Sequence, residues 1–107
     1  MSKVLVVDDD KDLLEMVDIA LSKQGFITST LNNAKHFFNK VESFRPDIIL
    51  LDIFLGDADG RKLCQQLKDV PDSQTVPVIL YSAGHVSGTS IEHSLANAFV
   101  SKPFDIK

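Results

Sequence analysis

The stretch "DIILLDIFLG", residues 47–56, sets Asp52 in a run with four apolar residues before it and three after. A carboxylate truly buried in such a run costs several kcal/mol unless it is paired or the strand ends at it. A short continuous apolar run suits a strand covered on both faces, and strands of that kind belong to parallel sheets. The spacing therefore predicts a strand over 47–52 with Asp52 as its last residue, and the segments on either side decide the fold.

Upstream, "KVLVV" (3–7) is a second apolar, valine-rich run and reads as the first strand. Asp10 is placed to cap "KDLLEMVDIALSKQG", in which Leu14, Val17 and Leu21 recur at helical spacing and Gly25 supplies the stop. "FITSTL" (26–31) alternates and is expected as the second strand. "NNAKHFFNKVESF" (32–44) is expected as the second helix, with Asn32 or Asn33 as cap and Phe37, Val41 and Phe44 on one face. Pro46 ends it, because the residue before a proline is pushed out of the α region.

Downstream, "GDADG" (56–60) is a loop by composition, and Gly60 leads into "RKLCQQLKDV", where Leu63 and Leu67 are four apart. "PDSQTVP" is a second loop, "VILYSA" (78–83) the fourth strand, and "FVSKPF" (99–104) a brief fifth. Between the last two the chain is rich in Gly and Ser, and only "IEHSLANA" (91–98) is expected to form a helix, a short one. Strands alternating with helices are the signature of an α/β domain with a parallel sheet covered on both sides.

Composition narrows the function classes. The 107 residues suffice for one core, so a single domain over 1–107 is expected. The net charge of −4, with acidic residues spread along the chain, offers no basic face to nucleic acid or to an anionic membrane. Cys64 is the sole cysteine, without the partners a disulfide or metal site needs, and reads as a core thiol. His36, His85 and His93 share no spacing that suggests a relay. The N-terminal apolar run is too short for a signal or a membrane span, so a cytoplasmic protein is expected.

In open parallel sheets ligands bind outside the carboxyl ends of the strands, and the polar residues of this chain gather there. Asp8 and Asp9 close the first strand, Asp52 the third and Ser82 the fourth, and Lys102 follows the fifth. Two ionised carboxylates at roughly 4 Å repel by about 4 kcal/mol at an effective dielectric of 20, which a retained proton or a bound cation relieves. With only oxygen donors the suitable ion is a hard one such as Mg²⁺. Beside such an ion Asp52 can act as a nucleophile toward a phosphoryl group, with Ser82 donating a hydrogen bond and Lys102 a point charge to its oxygens. Taken singly, each of these residues has an ordinary reading as a cap, a strand end or a solvated lysine. Their joint placement at the ends of four strands is what points to chemistry.

"VLVVDDD", "DIILLDIFLGDADG", "VILYSA" and "FVSKPF" resemble, in order and spacing, the sequence blocks of the receiver domains of two-component response regulators. The resemblance covers nearly the whole chain. It implies a flavodoxin-like, doubly wound, five-stranded parallel sheet of order 2-1-3-4-5, an order that spacing alone does not supply. By position, it makes Asp52 the phosphoacceptor and Asp8 and Asp9, with Asp52 and the Phe54 backbone carbonyl, the Mg²⁺ ligands. It makes Ser82 the switch hydroxyl, Phe99 the switch aromatic and Lys102 the phosphoryl contact, and implies a cis Lys102–Pro103 peptide. The implied partners are a sensor histidine kinase or phosphotransfer protein upstream and an effector protein or output domain downstream, with the face of the fourth helix and fifth strand remodelled on phosphorylation. Such a domain is a switch and not an enzyme on other substrates.

The chain departs from the family in several places, among them the Gly- and Ser-rich stretch between Ser82 and Phe99, which lacks the usual clear amphipathic fourth helix and leaves the usual output surface weakly specified. "FLGDADG" replaces a loop that often carries proline. Phe54 and Gly84 stand where side chains tune acyl-phosphate hydrolysis, and neither can orient water, so slow autodephosphorylation is expected. The sequence stops at "FDIK", where the family begins a fifth helix, so that helix is expected to be missing or truncated, and the apolar flank left behind invites a homodimer.

Two rival functions stand beside the switch. A receiver-like scaffold that binds partners without phosphorylation has no need of Mg²⁺, so a Mg²⁺ titration separates it. A phosphatase of the haloacid dehalogenase type wants a second Asp two residues after the nucleophile, where this chain has Phe54.

Overall fold

A computed structural model describes residues 2–82 and 96–101. The elements run β1 (Lys3–Val7), α1 (Lys11–Lys23), β2 (Ile27–Leu31), α2 (Phe37–Phe44), β3 (Ile48–Asp52), α3 (Gly60–Leu67), β4 (Val78–Ser82) and β5 (Ala98–Ser101). The five strands form one sheet of order β2-β1-β3-β4-β5, with every pairing parallel. Successive strands run outward from β1 to β2 on one side and from β3 to β5 on the other, so the order reverses between β1 and β3. That is the doubly wound, flavodoxin-like arrangement the resemblance implies, and its switch point lies where β1 and β3 end.

Period-two alternation within strands buried on both sides divides the core in two. Leu5, Val7, Ile49, Leu51, Val78 and Leu80 pack with Phe37 and Val41 of α2 and with Leu63, Cys64 and Leu67 of α3. Val4 and Val6, with Ile48 and Leu50 partly covered, meet Leu14 and Val17 of α1 on the other face. Every residue of Val4–Val7 is at most 3% exposed, which is why "KVLVV" shows no alternation in sequence. The Cys64 thiol sits within the first cluster, and burial pushes its pKa up.

Helix ends follow local chemistry. Asp10 caps α1 by accepting the Asp12 and Leu13 N–H groups, as expected. At its far end the Phe26 N–H reaches the Leu21 carbonyl and the Gly25 N–H the Ser22 carbonyl, with Gly25 at φ +93°, a pairing that satisfies the last carbonyls.

The second helix corrects the expectation. It begins at Phe37, after His36, and neither Asn32 nor Asn33 caps it. The Asn33 side chain accepts the Lys35 N–H and so closes a turn ahead of the helix. Phe37 and Val41 are buried, as their spacing requires, and α2 stops at Arg45, whose left-handed φ of 54° precedes Pro46.

The fifth strand starts at Ala98, and Ala96 and Asn97 are not helical, so the expected 91–98 helix does not extend to its last three residues. The rest of that segment, Gly84, His85, His93, the Lys102–Pro103 peptide and the expected loss of a fifth helix lie outside the described residues. Among the described residues no helix is long and apolar enough to cross a membrane.

Candidate functional site

Because β1 pairs with both β2 and β3, the carboxyl end of β1 opens onto the switch point. The ladder continues one residue past β1, with the Asp8 N–H on the Leu31 carbonyl at 3.0 Å, and this draws Asp8 into full burial while Asp9 turns out to solvent. Asp52 ends β3 and is 3% exposed. One carboxylate oxygen from each of Asp8, Asp9 and Asp52 lies within 4.8 Å of the other two. At that separation the ionised Asp8 and Asp52 pair repels by about 3 kcal/mol or more. An all-oxygen set, open to solvent at Asp9, fits a hard divalent cation of the Mg²⁺ kind that keeps several of its waters.

The loop after Asp52 is tightly folded. Ile53 continues the ladder to the Tyr81 carbonyl at 3.0 Å, and Ile53 and Leu55 are buried, which leaves Phe54 between them 50% exposed. The Phe54 N–H points to Asp52 Oδ1 at 3.3 Å. Gly56 takes a φ of 79°, the Leu55 N–H reaches the Ala58 carbonyl, and Phe54 bridges Asp59 in antiparallel fashion. Gly60 then donates its N–H to the Ile53 carbonyl at 2.7 Å, bringing the start of α3 directly beneath the end of β3.

Asp59 is the cap of α3, accepting the Arg61 N–H at 2.9 Å, and its carboxylate also takes a two-pronged ion pair from the Arg61 side chain. The guanidinium holds the Asp59 carboxyl below its usual range, and it also lies 5.7 Å from the centre of the Phe54 ring.

Ser82 is wholly buried at the end of β4, next to Tyr81, which stands opposite Asp52 in the β3–β4 register. Phe99 is placed by its backbone in β5, opposite Leu80, and Lys102 lies outside the described residues. The structure thus brings Asp8, Asp9 and Asp52 together and sets Phe54 and Ser82 at adjoining strand ends.

Two further residues at the site carry no signal in sequence. Tyr81 reads as an ordinary strand residue, yet its hydroxyl donates to Asp8 Oδ2 at 2.8 Å. Burial, reinforced by the Asp8, Asp52 and Asp9 charges, drives its pKa far above the ordinary phenol value, so it remains a donor. Gly60 reads as the lead into a helix, whereas it is the point where that helix touches the Asp52 main chain.

The chain matches the family described as the response regulator receiver domain over residues 4–107. It is 33% identical to the transcriptional regulatory protein KdpE of Staphylococcus aureus, covering 98% of this chain and 45% of that protein. It is 36% identical to the DNA-binding response regulator MtrA of Mycolicibacterium smegmatis, covering 98% and 46%. The chain spans less than half the length of either relative. Among solved structures it is similar to the signal receiver domain of a signal transduction histidine kinase from Syntrophus aciditrophicus, at 30% identity and a TM-score of 0.85, over 98% of this chain and 81% of that one. The chemotaxis protein CheY4 of Vibrio cholerae shares the fold with a TM-score of 0.91 at 21% identity, over 98% and 89%. The chain belongs to the response regulator receiver domain family, whose members are the phosphorylation-dependent switches of two-component signalling.

Proposed function

We propose that this chain, acting as one receiver domain over 1–107, takes a phosphoryl group onto Asp52 from a histidine kinase, a phosphotransfer protein or a small phosphodonor, and relays its arrival to an effector or output domain. The observation that supports this most is the convergence of the Asp8, Asp9 and Asp52 carboxylates where β1 and β3 end. Asp8, Asp9, Asp52 and the Phe54 backbone carbonyl would hold Mg²⁺. When bound, the ion neutralises charge on the oxygens of the transferring group.

The protein's own groups account for the remaining steps. A carboxylate oxygen of Asp52 supplies the electron pair of the new P–O bond, while the pair of the broken bond leaves with the donor, an imidazole nitrogen or an acetate oxygen. Ser82 donates its hydroxyl to a phosphoryl oxygen and Lys102 places its ammonium at another. The added dianion draws Ser82 inward, which frees space for Phe99 to rotate and so changes the surface that partners read. The chain thus performs its own phosphoryl transfer and slow dephosphorylation without turning over a separate substrate, and a cytoplasmic location fits a kinase as donor.

The test is phosphoryl uptake from acetyl phosphate with Mg²⁺, read by mass spectrometry on the parent and on Asp52→Asn. A gain of about 80 Da on the parent alone, abolished by EDTA, is the expected result. No uptake by a folded sample would favour a scaffold that binds partners without phosphorylation.

A further inference from the structure

β4 carries a phenol in an otherwise largely aliphatic strand, VILYS. Val78 and Leu80 pack into the α2–α3 cluster, and Tyr81, on the other face of the strand by alternation and 2% exposed, must find a partner for its hydroxyl in the interior. Since Tyr81 stands opposite Asp52 in register, its side chain reaches past β3 to the end of β1. There the hydroxyl lies 2.8 Å from Asp8 Oδ2 and 3.2 Å from the Val7 carbonyl oxygen. One phenolic hydrogen serves both, and the shorter contact is to the carboxylate.

The other Asp8 oxygen, Oδ1, accepts the Asp10 N–H at 2.8 Å. Two donors from different parts of the fold, one beyond β1 and one on β4, therefore fix both oxygens and with them the plane of the carboxylate. Asp8 is also the member of the acidic cluster most fully removed from solvent.

We propose that Tyr81 is a positioning residue for the cation site: its hydroxyl holds the Asp8 carboxylate in the orientation in which Asp8 can share a divalent cation with Asp9 and Asp52. This rests on the Mg²⁺ site of the proposed function. A carboxylate already held loses less freedom when an ion arrives than one that must be ordered first. The hydrogen bond also draws some electron density from Asp8, which opposes binding. Removing donors behind metal-ligating carboxylates usually weakens the site 10- to 100-fold, so orientation outweighs that opposing effect.

The test is calorimetric titration of the intact protein with MgCl₂, comparing the parent with Tyr81→Phe and with Asp9→Asn as the site-deleted control, alongside thermal unfolding in EDTA. Tyr81→Phe is expected to bind Mg²⁺ about tenfold more weakly than the parent or worse, and Asp9→Asn to show no binding at this site. A phenol that served only the fold would lower the unfolding temperature in EDTA and leave Mg²⁺ affinity unchanged. If Tyr81→Phe does not fold, Tyr81→Met, whose flexible side chain fills irregular space, must show the same loss. Equal affinity in the parent and a folded Tyr81 variant overturns the role of Tyr81 and leaves the Mg²⁺ site standing. No binding by the parent, or full binding by Asp9→Asn, overturns the site and the role of Tyr81 together.

Discussion

Gly60, the first residue of α3, is pressed against the main chain of Asp52, the last residue of β3. A Cβ at Gly60 would overlap the Asp52 carbonyl oxygen and lie 3.0 Å from its carbonyl carbon and 3.1 Å from Ile53 Cα. The obstacle is backbone, which cannot swing aside as a side chain can. Gly60→Ala must therefore push α3 away from β3, lowering stability in urea unfolding by about 1–3 kcal/mol. Phosphoryl uptake should slow in the same variant, because the displaced main chain carries the proposed acceptor, Asp52. Wild-type stability in Gly60→Ala would mean that the close approach is not maintained in solution.

The ion pair beside that contact makes a pH prediction. Asp59 has its carboxyl held below the ordinary 3.8 by Arg61. A group whose folded value is depressed contributes stability that is complete above its unfolded value and is lost as pH falls through the folded one. Its contribution should thus be constant at neutral pH and decline only below about pH 3.8. Asp59→Ala should cost about 1 kcal/mol at pH 7 through the lost cap, and Asp59→Asn should recover much of it, since an amide oxygen also caps. Urea unfolding of the three proteins at pH 7 and at acid pH measures both effects.

On the proposed function, Phe54 is expected to set the lifetime of the phosphorylated state. It is two residues past Asp52 and half exposed, and its ring has no group with which to orient an attacking water. Arg61, the cation over that ring, is committed to Asp59 by two hydrogen bonds. The aspartyl phosphate should outlast seconds, and Phe54→Asn, which adds a donor and an acceptor, should shorten its half-life several-fold in a time course by mass spectrometry. A parent half-life of seconds would count against this role.

Cys64 offers a check on the core. Fully buried, with its pKa raised by that burial, the thiol should resist iodoacetamide at pH 8 in the native protein and react once urea unfolds it. Cys64→Ser should cost about 1–3 kcal/mol, the range for a hydroxyl placed in an apolar site. Rapid labelling of the native protein would show the α3 face of the core to be open.

What could be read in the sequence and what could not divide along physical lines. Asp52 was legible because a carboxylate inside an apolar run has few places to go except a strand end, and β3 does end there. The strands and α1 were legible because continuous apolar runs, the Asp10 cap and the Gly25 stop are local signals. The start of α2 is not legible, since an asparagine that closes a turn and one that caps a helix look alike in sequence, and here the Asn33 side chain takes the Lys35 N–H. The role of Tyr81 is not legible, because a tyrosine in "VILYSA" is a common strand former, and its partner Asp8 is 73 residues away in the chain. The constraint on Gly60 is hidden for the same reason, as it comes from the Asp52 main chain and not from its own neighbours.

The most direct measurement of the central claim is to phosphorylate the protein with acetyl phosphate and Mg²⁺, reduce it with borohydride, which converts an aspartyl phosphate to homoserine, and map the product by peptide mass spectrometry. Homoserine at position 52 and at no other aspartate is the predicted result. Homoserine at Asp8 or Asp9 instead, or none in a folded sample that has been exposed to the donor, would contradict it.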